Sequence, residues 1–189
     1  KDFEIIAVDN NCTDDTIKII ESEFSDLLDI KIVECKDQGI EPALNTGLRS
    51  CDADLIARQD GDDYWLPEKL EKQVTFLNEN PEVDILGTQI NLYDENGVHQ
   101  SMGTFGKEVK YPTDSSLIKN AMLHGQNAIC HPSVIFRKRV INYLGGYERL
   151  WPLAEDYHLW LRAIPHFTFA NLDEKLVDYT QTRSENYDA

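Results

Sequence analysis

Phe3-Glu4-Ile5-Ile6-Ala7-Val8 runs directly into Asp9-Asn10-Asn11-Cys12-Thr13-Asp14-Asp15, and this junction sets the expected architecture. The first six residues are short, apolar and rich in branched side chains, which predicts a buried strand. The polar cluster after them predicts a loop at the strand's carboxyl end. There Thr13 would cap a helix, and Asp14 and Asp15 would sit favourably against its dipole. Ile17, Ile20 and Phe24 follow at helical spacing, and Leu28 to Glu34 alternates as a second strand. A short helix is expected over Pro42 to Arg49, and a third strand over Leu55-Ile56-Ala57, which enters Asp60-Gly61-Asp62-Asp63. Pro67 suits the first turn of the next helix, striped by Leu70, Val74 and Leu77 and ended by Asn80-Pro81. Val83 to Ile90 then reads as a fourth strand. Strands alternating with helices over the first 90 residues predict a parallel sheet with right-handed crossovers.

The second half alternates less cleanly. Asp94-Glu95-Asn96-Gly97 predicts a turn, a helix is expected near 114–123, and a strand is expected through Val134-Ile135-Phe136. Ala154 to Ile164 reads as a helix with Tyr157, Leu161 and Ile164 on one side, and Phe167 to Leu172 as a last strand. The length, 189 residues, fits a single domain, 1–189, with a nucleotide-type half over 1–90 and an acceptor-type half over 91–189.

Composition narrows the function classes. Lys plus Arg number 18 against 34 Asp plus Glu, a net charge of −16. A groove for a nucleic-acid backbone needs clustered positive charge, so a nucleic-acid partner is excluded, and an anionic membrane patch is disfavoured for the same reason. A hydrophobic content of 41% is too high for a disordered acidic tail. The cysteines, 12, 35, 51 and 130, form no metal-knuckle or redox spacing, which predicts buried free thiols in a reducing compartment.

The chemistry is expected beyond the carboxyl ends of strands, where open α/β sheets bind ligands. Two acidic loops fall there: Asp9-Asn10, and Asp60-Gly61-Asp62-Asp63. Carboxylates this close repel one another unless a cation relieves them, and Mg²⁺ or Mn²⁺ takes one or two carboxylates together with ligand phosphates. Gly61 would let the backbone turn so that Asp60 and Asp62 face one pocket. A solvated acidic turn is the alternative. A calcium loop starting at Asp60 fails because Trp65 stands where that loop needs glycine. No phosphate-cradling GxxxxGK[ST], GxGxxG or GxSxG is present, although an Asp-x-Asp phosphotransferase stays open. Glu155-Asp156 at a helix start offers a carboxylate kept ionised by the dipole, either as a general base or as a plain helix-start acid. Trp65 and Trp151 offer sugar-stacking faces, whereas Trp160 and His131 are expected in the core.

Together these stretches resemble family 2 glycosyltransferases of the GT-A fold. Residues 3–14 look like the family's nucleotide-binding strand and loop. Gly39 to Leu48 and Asp54 to Lys69 look like the segment that carries its DxD motif. His131 to Arg137 and Ala154 to Arg162 look like its acceptor-side strand and ED motif. The similarity is to bacterial enzymes of exopolysaccharide and lipopolysaccharide assembly, the amylovoran type in particular. It implies a Rossmann-like, mostly parallel central sheet flanked by helices. It also implies an inverting, metal-dependent hexosyltransferase that moves sugar from a nucleotide-diphosphate donor to a saccharide or lipid-linked saccharide acceptor.

By the same resemblance Asp9 and Asn10 lie at the nucleotide base and Asp60 at the ribose or metal. Asp62 binds Mn²⁺ or Mg²⁺, and Asp156 deprotonates the acceptor. It further implies a cytoplasmic location with peripheral association at the inner face of the cytoplasmic membrane. Asn10, Asp37 and Leu44 depart from the family pattern, which often has Asp, Asn and Arg there. Nothing in the chain corresponds to the family's first strand and helix, so a piece truncated at its N-terminus is expected, with an unpaired apolar edge on the Phe3 strand. A non-catalytic nucleotide-sugar-binding fragment is the alternative.

Overall fold

The structure is a computed structural model that describes residues 3–101, 109–149 and 154–181. Within these residues the chain forms β1 (Ile5–Asp9), α1 (Thr16–Glu23), β2 (Ile30–Glu34), α2 (Ile40–Ser50), β3 (Leu55–Ala57), β4 (Tyr64–Trp65) and α3 (Lys69–Glu79). It continues through β5 (Ile85–Asp94), β6 (His99–Gln100), α4 (Ser115–Leu123), a 3-10 turn (His131–Ser133), β7 (Ile135–Arg137), α5 (Lys138–Leu144), α6 (Glu155–Ala163) and β8 (Phe169–Gln181).

The expected mostly parallel central sheet is not what forms. β1 and β2 pair in parallel as a separate two-stranded sheet. The larger sheet has the order β3-β7-β5-β8-β4, with β6 beside β5. Its β3–β7, β4–β8, β5–β6 and β5–β7 pairings are antiparallel, and only β5–β8 is parallel. The physical reason lies in β7. This three-residue strand, far along the chain, inserts antiparallel between β3 and β5, so the helix α3 does not connect parallel neighbours. The GT-A description in its mostly parallel form is therefore corrected: the βαβ pattern governs only β1-α1-β2.

Local boundaries shift as well. β1 is half-buried along its whole length rather than buried. The helix after it starts at Thr16 instead of at a Thr13 cap, and its N-cap residue Asp15 makes no side-chain capping bond. The last strand is the 13-residue β8, far longer than the stretch expected from Phe167 to Leu172. Its polar interior segment, Asp173-Glu174-Lys175, interrupts any apolar signal, yet it continues along β5 through register shifts at Gln89, the mark of a bulge. The cysteines are free, but only Cys35 and Cys130 are buried, while Cys12 is exposed and Cys51 is intermediate.

The main core joins β3, β5, β7 and the start of β8 to α4, α5 and α6 through Ile85, Ile118, Phe136, Leu159, Trp160 and Phe169. Helix α2 packs on β1 and β2, and its Leu44 and Leu48 also lie against this core, so it ties the small sheet to the large one. Asn45 of α2 strengthens the tie by donating to Tyr147 O at 2.8 Å and accepting from Tyr147 N at 2.8 Å.

Gly87 in β5 is a second point of close approach. A Cβ there would lie 2.2 Å from Asn171 Oδ1 and 3.3 Å from Ser133 Oγ. Asn171 cannot retreat cheaply, because its amide donates to Pro112 O at 2.7 Å and Ala128 O at 3.0 Å. Gly87→Ala is expected to destabilise the fold by about 2–3 kcal/mol, read as a lowered denaturation midpoint, and an unchanged midpoint would show that Asn171 repacks freely.

Candidate functional site

The acidic loop after β3 is held from several sides. Arg58 N donates to Val134 O at 3.1 Å, which fixes the loop's start to the segment entering β7. The Gln59 amide donates to Asp60 O at 2.8 Å and Asp63 O at 2.6 Å, closing the turn. From β8, Thr180 N donates to Asp63 Oδ1 at 2.7 Å and Thr180 Oγ1 donates to Asp62 O at 2.7 Å. Gly61 has no left-handed φ, and a Cβ there would meet open space. The loop's shape therefore comes from these bonds and not from glycine's conformational freedom, which corrects the role expected for Gly61.

Asp60, Asp62 and Asp63 each offer a carboxylate oxygen within 4.8 Å of the others. Asp62 is exposed, Asp60 is partly buried and Asp63 is buried with its Oδ2 unpartnered. Burial pushes the Asp63 carboxyl up to about 6, with its charged neighbours Asp60 and Asp62 adding to the rise. Burial also raises Asp60, against the guanidinium of Arg58, which pulls it down. Hard oxygen donors at this spacing, one of them buried and unpaired, fit a divalent cation.

Arg58, in the sequence only the basic residue nearest the acidic loops, gains its role in the structure. Its terminal nitrogens engage both Asp60 carboxylate oxygens, and its side chain is 8% exposed. Its positive charge acts on Asp60, Asp63, Glu155 and Asp156. The charge of one guanidinium thus acts on both the acidic loop and the start of α6, although they are far apart in the chain. An arginine at a strand end gives no sequence signal of this, and the clamp from Thr180 gives none either.

At the start of α6, Asp156 Oδ2 accepts from Asn127 Nδ2 at 2.7 Å and Oδ1 accepts from Tyr157 N at 2.6 Å. Burial raises the Asp156 carboxyl, and these two donors with Arg58 oppose the rise. Glu155 beside it is buried and raised by the same desolvation. His131 and Trp160 are core residues. His131 Nε2 lies 2.7 Å from Tyr147 Oη, and the two rings of His131 and Trp160 meet edge-on.

Asp9 and Asn10 take up another place, at the carboxyl end of β1. Asp9 Oδ1 accepts from Cys12 N at 2.9 Å, while Asn10 Nδ2 donates to Cys35 O at 3.1 Å and Asp37 O at 2.7 Å. Asn10 braces the loop after β2, Asp9 shapes its own loop, and neither shares a hydrogen bond with the acidic loop among the described residues. Trp65 donates from Nε1 to Pro132 O at 3.0 Å, and Trp151 lies outside the described residues. A cavity of about 350 Å³ bounded by Ile90, Leu92, His99 and Lys175 lies away from these carboxylates.

A strand-end carboxylate cluster, with an arginine whose charge also acts on a second acidic pair at a helix start, is suited to a cation and an anionic ligand. This chain belongs to glycosyl transferase family 2, whose model matches residues 1–145. It is related to bacterial glycosyltransferases of surface-polysaccharide synthesis. Over 188 residues it is 35% identical to the O-antigen biosynthesis glycosyltransferase WbnJ of Escherichia coli, covering 94% of this chain and 68% of that protein. Over 160 residues it is 32% identical to the amylovoran biosynthesis glycosyltransferase AmsE of Erwinia amylovora, covering 84% of this chain and 57% of that protein.

The fold is shared with the crystal structure of S. aureus TarS 1–349 in complex with UDP-GlcNAc, at a TM-score of 0.74 and 22% identity, over 100% of this chain and 54% of that one. It is also shared with the mannosyltransferase PcManGT of Pyrobaculum calidifontis in complex with GDP-Man and Mn²⁺, at 0.64 and 17%, over 97% and 49%. The chain thus spans about half to two thirds of the length of the relatives it matches.

Proposed function

We propose that this chain carries the donor site and the catalytic base of an inverting, metal-dependent glycosyltransferase. It would move a hexose from a nucleotide-diphosphate donor to a saccharide or lipid-linked saccharide acceptor in cell-surface polysaccharide or lipopolysaccharide synthesis. The observation that carries the reading is the cluster of Asp60, Asp62 and Asp63, with the charge of Arg58 acting both on it and on Asp156. The names of its relatives, WbnJ and AmsE, supply the polysaccharide context, and the UDP-GlcNAc and GDP-Man complexes of its structural neighbours supply the donor class. No helix among the described residues is long and apolar enough to cross a membrane, which fits peripheral association with a lipid-linked acceptor.

In this reading Asp62 and Asp63 hold Mn²⁺ or Mg²⁺, which when bound neutralises the donor diphosphate and the charge that develops on it as it leaves. Asp156, oriented by Asn127, takes the proton of the acceptor hydroxyl. The hydroxyl oxygen bonds to the anomeric carbon as the bond from that carbon to the diphosphate oxygen breaks on the opposite face. Asp9 and Asn10 flank the nucleotide base.

Asp62→Asn is expected to weaken Mn²⁺-dependent binding of UDP, GDP or dTDP at least about tenfold in calorimetry while leaving the fold intact. Asp62 is exposed and only its backbone carbonyl is bonded to Thr180, so the substitution removes charge without removing a packing contact. Parental nucleotide affinity in this variant, with Mn²⁺ present, would remove the metal from the reading.

A further inference from the structure

The acidic loop carries its own cation. Arg58 is 8% exposed, its terminal nitrogens take both oxygens of Asp60, and its Nε has no hydrogen-bond partner. Asp63 in the same cluster is 6% exposed and keeps Oδ2 unpartnered. Asp60 is therefore already engaged, while Asp63 presents a buried oxygen with nothing to bind it. A dication that approaches Asp60 meets a guanidinium that cannot shed its charge, because arginine stays protonated in proteins. Relief has to come from added negative charge. A diphosphate supplies it, in a form that guanidinium groups pair with in bidentate fashion.

We infer that Arg58 is a latch that couples cation binding to diphosphate binding. In the free protein it occupies Asp60 and disfavours a divalent cation alone. When a nucleoside diphosphate offers its oxygens, Arg58 turns to them and Asp60 becomes available to the cation. The coupling is reciprocal, so each ligand tightens the other by the same factor. Arg58 is here a positioning residue, acting through Asp60. The inference rests on the metal–nucleotide reading of the site given above.

The test is calorimetry near neutral pH with Mn²⁺ alone, with UDP alone (GDP and dTDP in parallel) and with both together. The parent is expected to bind Mn²⁺ weakly alone and at least about tenfold more tightly with nucleotide present. Arg58→Met should bind Mn²⁺ alone about tenfold more tightly than the parent, with the coupling reduced about tenfold to the part that direct attraction between cation and diphosphate supplies. Arg58→Lys should fall between them, since a point charge cannot pair with both oxygens of Asp60.

Asp60→Asn gives an independent reading. It frees the guanidinium and should raise nucleotide affinity in the absence of metal, the reverse of what loss of a plain metal ligand would do. Parental Mn²⁺ affinity and parental coupling in Arg58→Met would overturn the latch. If circular dichroism shows that variant unfolded, unchanged metal-free nucleotide affinity in Asp60→Asn overturns it instead. Weaker Mn²⁺ binding in Asp62→Asn together with no change in Arg58→Met sinks the latch and leaves the site reading standing. Failure of the parent to bind Mn²⁺ under any of these conditions sinks both.

Discussion

Asp156→Asn is expected to leave nucleotide binding within about twofold of the parent and to cut sugar transfer roughly 10²–10⁴-fold, the range for losing a positioned general base. The two side chains have the same shape, and the amide oxygen can still accept from Tyr157 N, so the start of α6 should survive the change. What disappears is the ability to take a proton. The pH profile provides a second reading. Asp156 sits above the ordinary carboxylate range because burial disfavours its charge, while Tyr157 N, Asn127 and Arg58 hold it down.

Charge from Asp156 reaches Glu155 on α6, Cys130 and Tyr111 beside β5 and β8, and Tyr147 after α5, and raises each of them. A base works ionised, so transfer should rise with pH through this titration. Asn127→Ala removes a donor to the carboxylate and should move that acidic limb to higher pH, while the plateau at alkaline pH is reduced far less than in Asp156→Asn. Equal turnover in Asp156→Asn and the parent, with a donor the protein binds, would remove Asp156 from the mechanism.

Lys69→Met is expected to stabilise the fold by about 3 kcal/mol near pH 6. Lys69 is fully buried on α3, its Nζ has no hydrogen-bond partner, and it lies 3.8 Å from the centre of the Trp65 ring. The indole face returns part of the cost of burying the ammonium, about 1–2 kcal/mol, and methionine fills a similar volume without charge. Burial pushes the lysine down to about 7 from 10.5 in the open chain.

Between those values the unfolded chain holds a proton that the folded protein has released, so the parent's stability rises with pH through about 7 to 9. The charge penalty is therefore fully present below pH 7 and fades above it. In Lys69→Met that rise should disappear, and urea unfolding at several pH values reads it directly. Above about pH 9 the buried Cys130 and Tyr147 and the partly buried Tyr179 act in the opposite sense. Desolvation raises all three, Cys130 to about 12, so their contribution to stability is lost as the pH climbs. Identical slopes for the parent and Lys69→Met below that point would show that the lysine is not buried as a charge.

Much of the local structure was written in the residues. β3 falls on Leu55-Ile56-Ala57 as its apolar run and the acidic break after it require, and α3 ends at Glu79 before Asn80-Pro81. The parallel β1–β2 pair follows from the strand–helix–strand spacing of the first 34 residues. Asp60, Asp62 and Asp63 lie together because they are neighbours in the chain, so their mutual repulsion could be read without coordinates. The same holds for Asp156 in the first turn of α6.

Other features depend on contacts between distant residues, and periodicity carries no record of those. Sheet direction turned on β7 and β4, strands of three and two residues, too short for any alternation to register. β8 hid behind Asp173-Glu174-Lys175, polar residues tolerated because that stretch bulges away from β5. The shape of the acidic loop is set by Thr180, more than a hundred residues later, and its charge balance by an arginine whose burial the chain order does not reveal. Sequence by itself determined which carboxylates are close enough to need a cation, because chain neighbours cannot escape one another. Tertiary structure alone decided which of them is already neutralised and which has an oxygen left to bind, because burial and partners across the sheet belong to the fold and not to the chain.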